Sequence, residues 1–112
     1  MMRDEIKNAK YTLFLAFWDV DYKDVENPNL YIRKMTDVVD SLNISSDFRT
    51  WGATGEYHPD KIDIDMMSVN LHFNDKQAFD RAITAVDSDK RFEMWPQQRD
   101  EARSYKFVEE LN

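Results

Sequence analysis

An α+β fold, a sheet with helices packed on one face, is what this sequence predicts, and three observations predict it. Apolar residues alternate with period two in some segments and recur every three to four residues in others. The two kinds of segment interleave as strand, helix, strand, strand, helix, strand. Only two Gly and three Pro interrupt the 112 residues, so few irregular stretches separate them.

Taken in order, the first ten residues are polar and form an N-terminal arm. Tyr11 to Val20 (YTLFLAFWDV) reads as a strand with two apolar faces, Leu13, Leu15 and Phe17 on one and Phe14, Ala16 and Trp18 on the other, which marks a central strand. Asn27 is the expected cap, and Pro28 the first residue, of a helix whose Tyr31, Met35, Val38, Val39 and Leu42 share one face; Asn43 is its expected end. Phe48 to Tyr57 reads as a second strand, carrying Gly52 and Gly55 and closing in a turn at His58-Pro59-Asp60. Ile62 to Phe73 is a third. Its apolar residues fall on even positions at first (Ile62, Ile64, Met66) and on odd positions afterwards (Met67, Val69, Leu71, Phe73), so a β-bulge is expected near Met66-Met67. Asn74 with Gln77 forms a capping-box-like start to a second helix with Ala78, Phe79, Ala82, Ile83 and Val86 inward. Arg91 to Trp95 reads as a fourth strand stopped by Pro96. Beyond it, Ala102, Tyr105, Val108 and Leu111 recur at helical spacing and predict a C-terminal helix over residues 97–112.

The expected architecture is therefore a single domain over residues 1–112. It is a ferredoxin-like split βαβ fold: a four-stranded antiparallel sheet, two helices on one face, and a terminal helix. That helix, through Tyr105, Val108 and Leu111, or a second subunit in a homodimer, is expected to cover the open sheet face, because large exposed apolar patches are unusual on monomers.

Composition excludes several classes. With 22 acidic against 15 basic residues the net charge is −7, which opposes direct nucleic-acid binding, since that needs a basic face to neutralise phosphates. The absence of Cys removes disulfide frameworks, thiolate zinc sites and cysteine nucleophiles. The longest apolar stretch, Leu13 to Trp18, is too short to span a bilayer, and the charges at Arg3, Asp4, Glu5 and Lys7 replace the apolar core of a secretory signal. A cytoplasmic protein is the expectation.

In the predicted topology the first and third strands are antiparallel neighbours. The end of strand one, Asp19-Val20-Asp21, then meets the start of strand three, Asp60-Lys61-Ile62-Asp63-Ile64-Asp65, with Asp24, Glu26 and His58 nearby. Two carboxylates spaced D-x-D share a strand face. Oxygen ligands gathered in this way suit Mg²⁺ or Mn²⁺, which can clamp a phosphoryl group, and Asp19, Asp21, Asp63 and Asp65 are the candidate ligands. Against this, Asp is common at strand ends and turns because it bonds local backbone N–H groups.

The run Leu13-Phe14-Leu15-Ala16-Phe17-Trp18-Asp19-Val20, followed by a helix carrying Arg33-Lys34 and by Phe48-Arg49-Thr50-Trp51-Gly52, resembles the first strand and its surroundings in the Cas2 and VapD ribonuclease-like proteins. The resemblance covers about forty residues. It implies Asp19 as a catalytic or metal-binding residue. The long third strand with its D-x-D, and the acidic balance, depart from that pattern.

Other candidates are weaker. An RNA-stacking sheet face would need aromatics on the third strand, where Ser68, Asn70 and His72 stand instead. His58 reads as a loop residue and His72 as a surface or interface residue; neither sits in a triad or HExxH context. Gly52-Ala53-Thr54-Gly55 lacks the Lys-Ser/Thr ending of a phosphate loop. Trp51 and Trp95 read as packing residues.

The leading expectation is a non-enzymatic, acidic protein-interaction module, an inhibitor or adaptor for a basic, nucleic-acid-binding surface of another protein. It would need no cofactor and would use Trp18, Asp19, Asp21, Tyr22, Asp24, Glu26 and Tyr57. Such a Cys-free chain fits a phage or mobile-element accessory protein. The alternatives are an Mg- or Mn-dependent phosphodiesterase or nuclease acting through the Asp cluster, and a small-molecule-binding dimer built on the open sheet face.

Overall fold

The computed structural model describes residues 9–18, 28–59, 61–109 and 111. Its elements are β1 (Tyr11–Trp18), α1 (Pro28–Ser41), β2 (Phe48–His58), β3 (Lys61–Phe73), α2 (Lys76–Asp87), β4 (Phe92–Met94) and β5 (Ala102–Phe107). The fold is α+β: a five-stranded sheet in the order β2-β3-β1-β5-β4, with two helices among the described residues. β1 is antiparallel to β3, β3 to β2 and β5 to β4, whereas β1 and β5 are parallel, so the sheet is mixed.

Two expectations fail together here. Where a terminal helix over residues 97–112 is expected, the described residues 97–109 form a tight turn and a strand instead, and the four-stranded antiparallel sheet becomes a five-stranded mixed one. The segment carries both periodicities, and the pairing partner decides between them. Tyr105 and Phe107 are both buried, two residues apart, whereas Val108, on the supposed helical stripe, is 41% exposed. Phe107 packs its ring on Phe17 at 5.1 Å and on Phe92 at 5.3 Å, joining β5 to β1 and β4. Strand β1, apolar on both faces, has backbone groups on both edges to satisfy, and β5 supplies the second edge from Thr12↔Ala102 to Ala16↔Lys106. The Gln98 side chain holds the turn: its amide donates to the carbonyls of Trp95 (2.6 Å) and Ser104 (2.8 Å), and its oxygen accepts from the Ser104 N–H (2.9 Å).

On the helix-facing side, Leu13, Leu15 and Phe17 of β1 and Met67, Val69, Leu71 and Phe73 of β3 pack under Tyr31, Met35, Val39 and Leu42 of the α1 segment and Phe79, Ala82 and Val86 of α2. α1 ends as the sequence implies, with Asn43 in the left-handed region (φ 55°), and Asp40 near its end pairs with Arg49 of β2 at 2.8 Å. α2 is capped by Asp75 rather than Asn74. The Asp75 carboxylate accepts from the N–H groups of Gln77 and Ala78, while the Asn74 N–H is engaged by Asp47. β4 is shorter than expected, although the Trp95 N–H still reaches the Ser104 carbonyl.

The bulge is present, one residue before the expected place. Thr54 pairs with Met66 and Gly55 with Ile64, leaving Asp65 as the extra residue of β3. The inserted residue brings Ile64 onto the face of Met67 and Val69, where it packs against the core, and this resolves the change of phase.

Candidate functional site

Two regions of the sheet carry the residues of interest. The first is the end where β1 stops. The last described pair of β1 is Trp18↔Met66, and among the described residues Lys61–Asp65 of β3 pair only with β2, as a two-stranded ribbon. The expected neighbourhood of strand one's end and strand three's start is therefore present. In this ribbon Glu56 stands opposite Asp63 and Tyr57 opposite Ile62, next to the exposed Asp65 at the bulge.

Of the expected partner-binding residues, Trp18 and Tyr57 are placed by their backbones at this end. Asp19, Asp21, Tyr22, Asp24 and Glu26 lie outside the described residues. The expected metal ligands are covered only at Asp65 as a side chain and at Asp63 as backbone. Among the described residues no group of three or more His, Asp or Glu could hold a metal ion.

The second region is the sheet face opposite the helices, where β2 contributes Phe48 and Thr50, β3 contributes Ser68, Asn70 and His72, and β1 contributes Thr12, Phe14 and Ala16. The register gathers Thr12, Thr50 and His72 from three strands. The His72 ring stacks on Phe48 (4.5 Å between centroids, 12° between planes) between the hydroxyls of Thr50, 2.8 Å from Nε2, and Thr12, 3.5 Å from Nδ1. A neutral imidazole satisfies both with one N–H and one lone pair. Burial lowers the His72 pKa below its ordinary value, so the neutral form is the one this site favours. The arrangement reads as a polar pin across β2, β3 and β1. Alternation of Ser68, Asn70 and His72 marked the polar side of strand three, but only the cross-strand register could reveal the two threonines.

The terminal segment covers this face differently from the expectation. Tyr105 lies on the helix side, where its hydroxyl donates to Asp87 (2.5 Å), and burial together with that bond raises its pKa. It is Trp95, following β4, that packs edge-on against Phe14 (6.3 Å). Ala16 and Ser68, on the same face, are 0% and 5% exposed. At the margin, Lys10, Thr12, Arg99, Asp100, Glu101 and Ala102 line an open groove of about 450 Å³, whose charges balance and select no ligand sign.

No helix among the described residues is long and apolar enough to cross a membrane. No family model, no curated protein and no solved structure matches this chain.

Proposed function

We propose that the chain is a protein-interaction module, an inhibitor or adaptor that engages a basic surface of a partner protein through the acidic end of its sheet. The observation that carries this reading is the β2–β3 ribbon, in which Glu56 and Asp63 are register partners next to the exposed Asp65. A basic partner surface is steered to this end by the field of a chain of net charge −7. Trp18 and Tyr57 stand at the same end by register, and the sequence places Asp19, Asp21, Asp24 and Glu26 shortly after β1. The test is capture of proteins from lysate on the immobilised chain over a salt series. Asp63→Lys with Asp65→Lys should weaken capture and flatten its salt dependence, whereas Asp37→Lys, at an exposed position of α1, should not. Capture indifferent to the paired reversal removes the acidic-face reading.

A second reading, an Mg- or Mn-dependent phosphodiesterase, is favoured by the Trp18↔Met66 pair, since the next residues in sequence are Asp19 and, one before Met66, Asp65. Mn²⁺ or Mg²⁺ should then raise the melting temperature of the wild type and not of Asp19→Asn. For the fold, we infer a ferredoxin-like ancestry with β5 inserted between β1 and β4. In support, β1 and β2 run parallel with β3 between them, and β4 keeps the direction of β3.

A further inference from the structure

The two edges of the sheet are defended very differently. β4, at one edge, is three residues long, carries Glu93 and is followed by Pro96. Such features keep an edge from pairing with another chain. β2, at the other edge, is eleven residues long, contains no proline, and is uncharged from Thr50 to Gly55 (TWGATG). Trp51 to Gly55 are all exposed, Trp51 at 37%. The bulge that could have twisted this edge away lies on β3.

We propose that the β2 edge pairs antiparallel with the β2 edge of a second copy, joining two five-stranded sheets across a two-fold axis. Three features favour a copy of this chain over a foreign strand. Two molecules of net charge −7 repel wherever carboxylates meet, and this edge presents six uncharged residues in a row. That run is bounded by Arg49 on one side and Glu56 on the other. Antiparallel pairing sets the Arg49 end of each strand beside the Glu56 end of its mate, a match of strand ends rather than a direct pair since Arg49 is held by Asp40, whereas parallel pairing sets like charge beside like. Finally, identical antiparallel strands satisfy a closed two-fold by construction, so pairing stops at two copies and leaves the protected β4 edges outside. Registers centred on Gly52 or Ala53 keep the helices of both copies on one side of the joined sheet, because paired residues must share a face. A strand-edge contact is small, so the association is concentration-dependent. It does not rest on the acidic-end reading, which concerns the adjoining ribbon.

Sedimentation of the full chain over a concentration series tests it. The mass should rise from 13.4 kDa towards twice that value. Ala53→Lys, which places a lysine against or diagonal to its own mate at the axis, should return the monomer with unchanged circular dichroism. Thr54→Lys reads the same edge should the first variant misfold. Asn70→Lys, on the open face, should leave the mass series unchanged. A wild type that is still monomeric at about 1 mM overturns the proposal. So does a dimer that survives both edge variants or is lost in Asn70→Lys, which would move the interface to the open face.

Discussion

Tyr105 of β5 donates its hydroxyl to Asp87, the last residue of α2, and so fastens the inserted strand to the helix above it. Tyr105 is fully buried while Asp87 is exposed, so Tyr105→Phe removes one charge-assisted hydrogen bond without stranding the carboxylate. The expected loss is about 1–2 kcal/mol. Thermal unfolding measures it, at roughly 4–8 °C per kcal/mol for a domain near this size.

The same residue has an alkaline signature. Burial and the Asp87 bond raise its pKa above the ordinary 10, so the folded state holds the phenolic proton more tightly than the unfolded chain. The stabilisation is whole below pH 10 and declines as pH rises beyond it. Wild type should lose stability above that pH more steeply than Tyr105→Phe, as read from urea midpoints.

His72 works in the opposite direction. Its pKa is lowered from 6.5 by burial, so its contribution is present above that pH and fades as pH falls below it, when the unfolded chain takes up the proton first. The His72 ring resonances should titrate below the ordinary range. His72→Phe should flatten the slope of stability between neutral and mildly acid pH relative to wild type.

Gln98 makes three hydrogen bonds that shape the turn into β5. Gln98→Ala removes all three, leaves the Ser104 N–H to water and should cost about 1–3 kcal/mol. Amide exchange in Ala102–Phe107 should quicken more than in β3.

Deleting Asp65 removes the bulge and returns β2 and β3 to a simple ladder. Ile64 then directly precedes Met66 and keeps its place on the face of Met67 and Val69, so the deletion should change stability by less than about 1 kcal/mol. Unfolding midpoints of the deletion variant check this, and Ile64→Ala, which removes the half-buried side chain itself, should lose about 1–2 kcal/mol.

Much of the sheet was legible because burial and periodicity agreed. β1 showed its central position in its two apolar faces, α1 its stripe and its stop at Asn43, and β3 its bulge through the slip from Ile64 and Met66 to Met67 and Val69. Gln97 to Leu111 misled because Ala102, Tyr105, Val108 and Leu111 fit a helix while Tyr105 and Phe107 fit a strand. The deciding term, the free edge of β1 with its Phe17–Phe107 contact, is a tertiary one absent from any local window. The candidate site divides likewise. Its position at the end of β1 follows from the strand order, but the apposition of Glu56 with Asp63 depends on where the bulge falls, and a shift of one residue reverses every facing beyond it.

The most direct measurement is hydrogen exchange of the full chain, free and bound to a partner captured at low salt. The acidic-end account predicts slowed exchange concentrated in Gly55–Asp65, lost with the partner when Asp63 and Asp65 are reversed to lysine. Protection confined to α1 and α2, or to the groove between Lys10 and Arg99, with the ribbon amides unchanged, would contradict it.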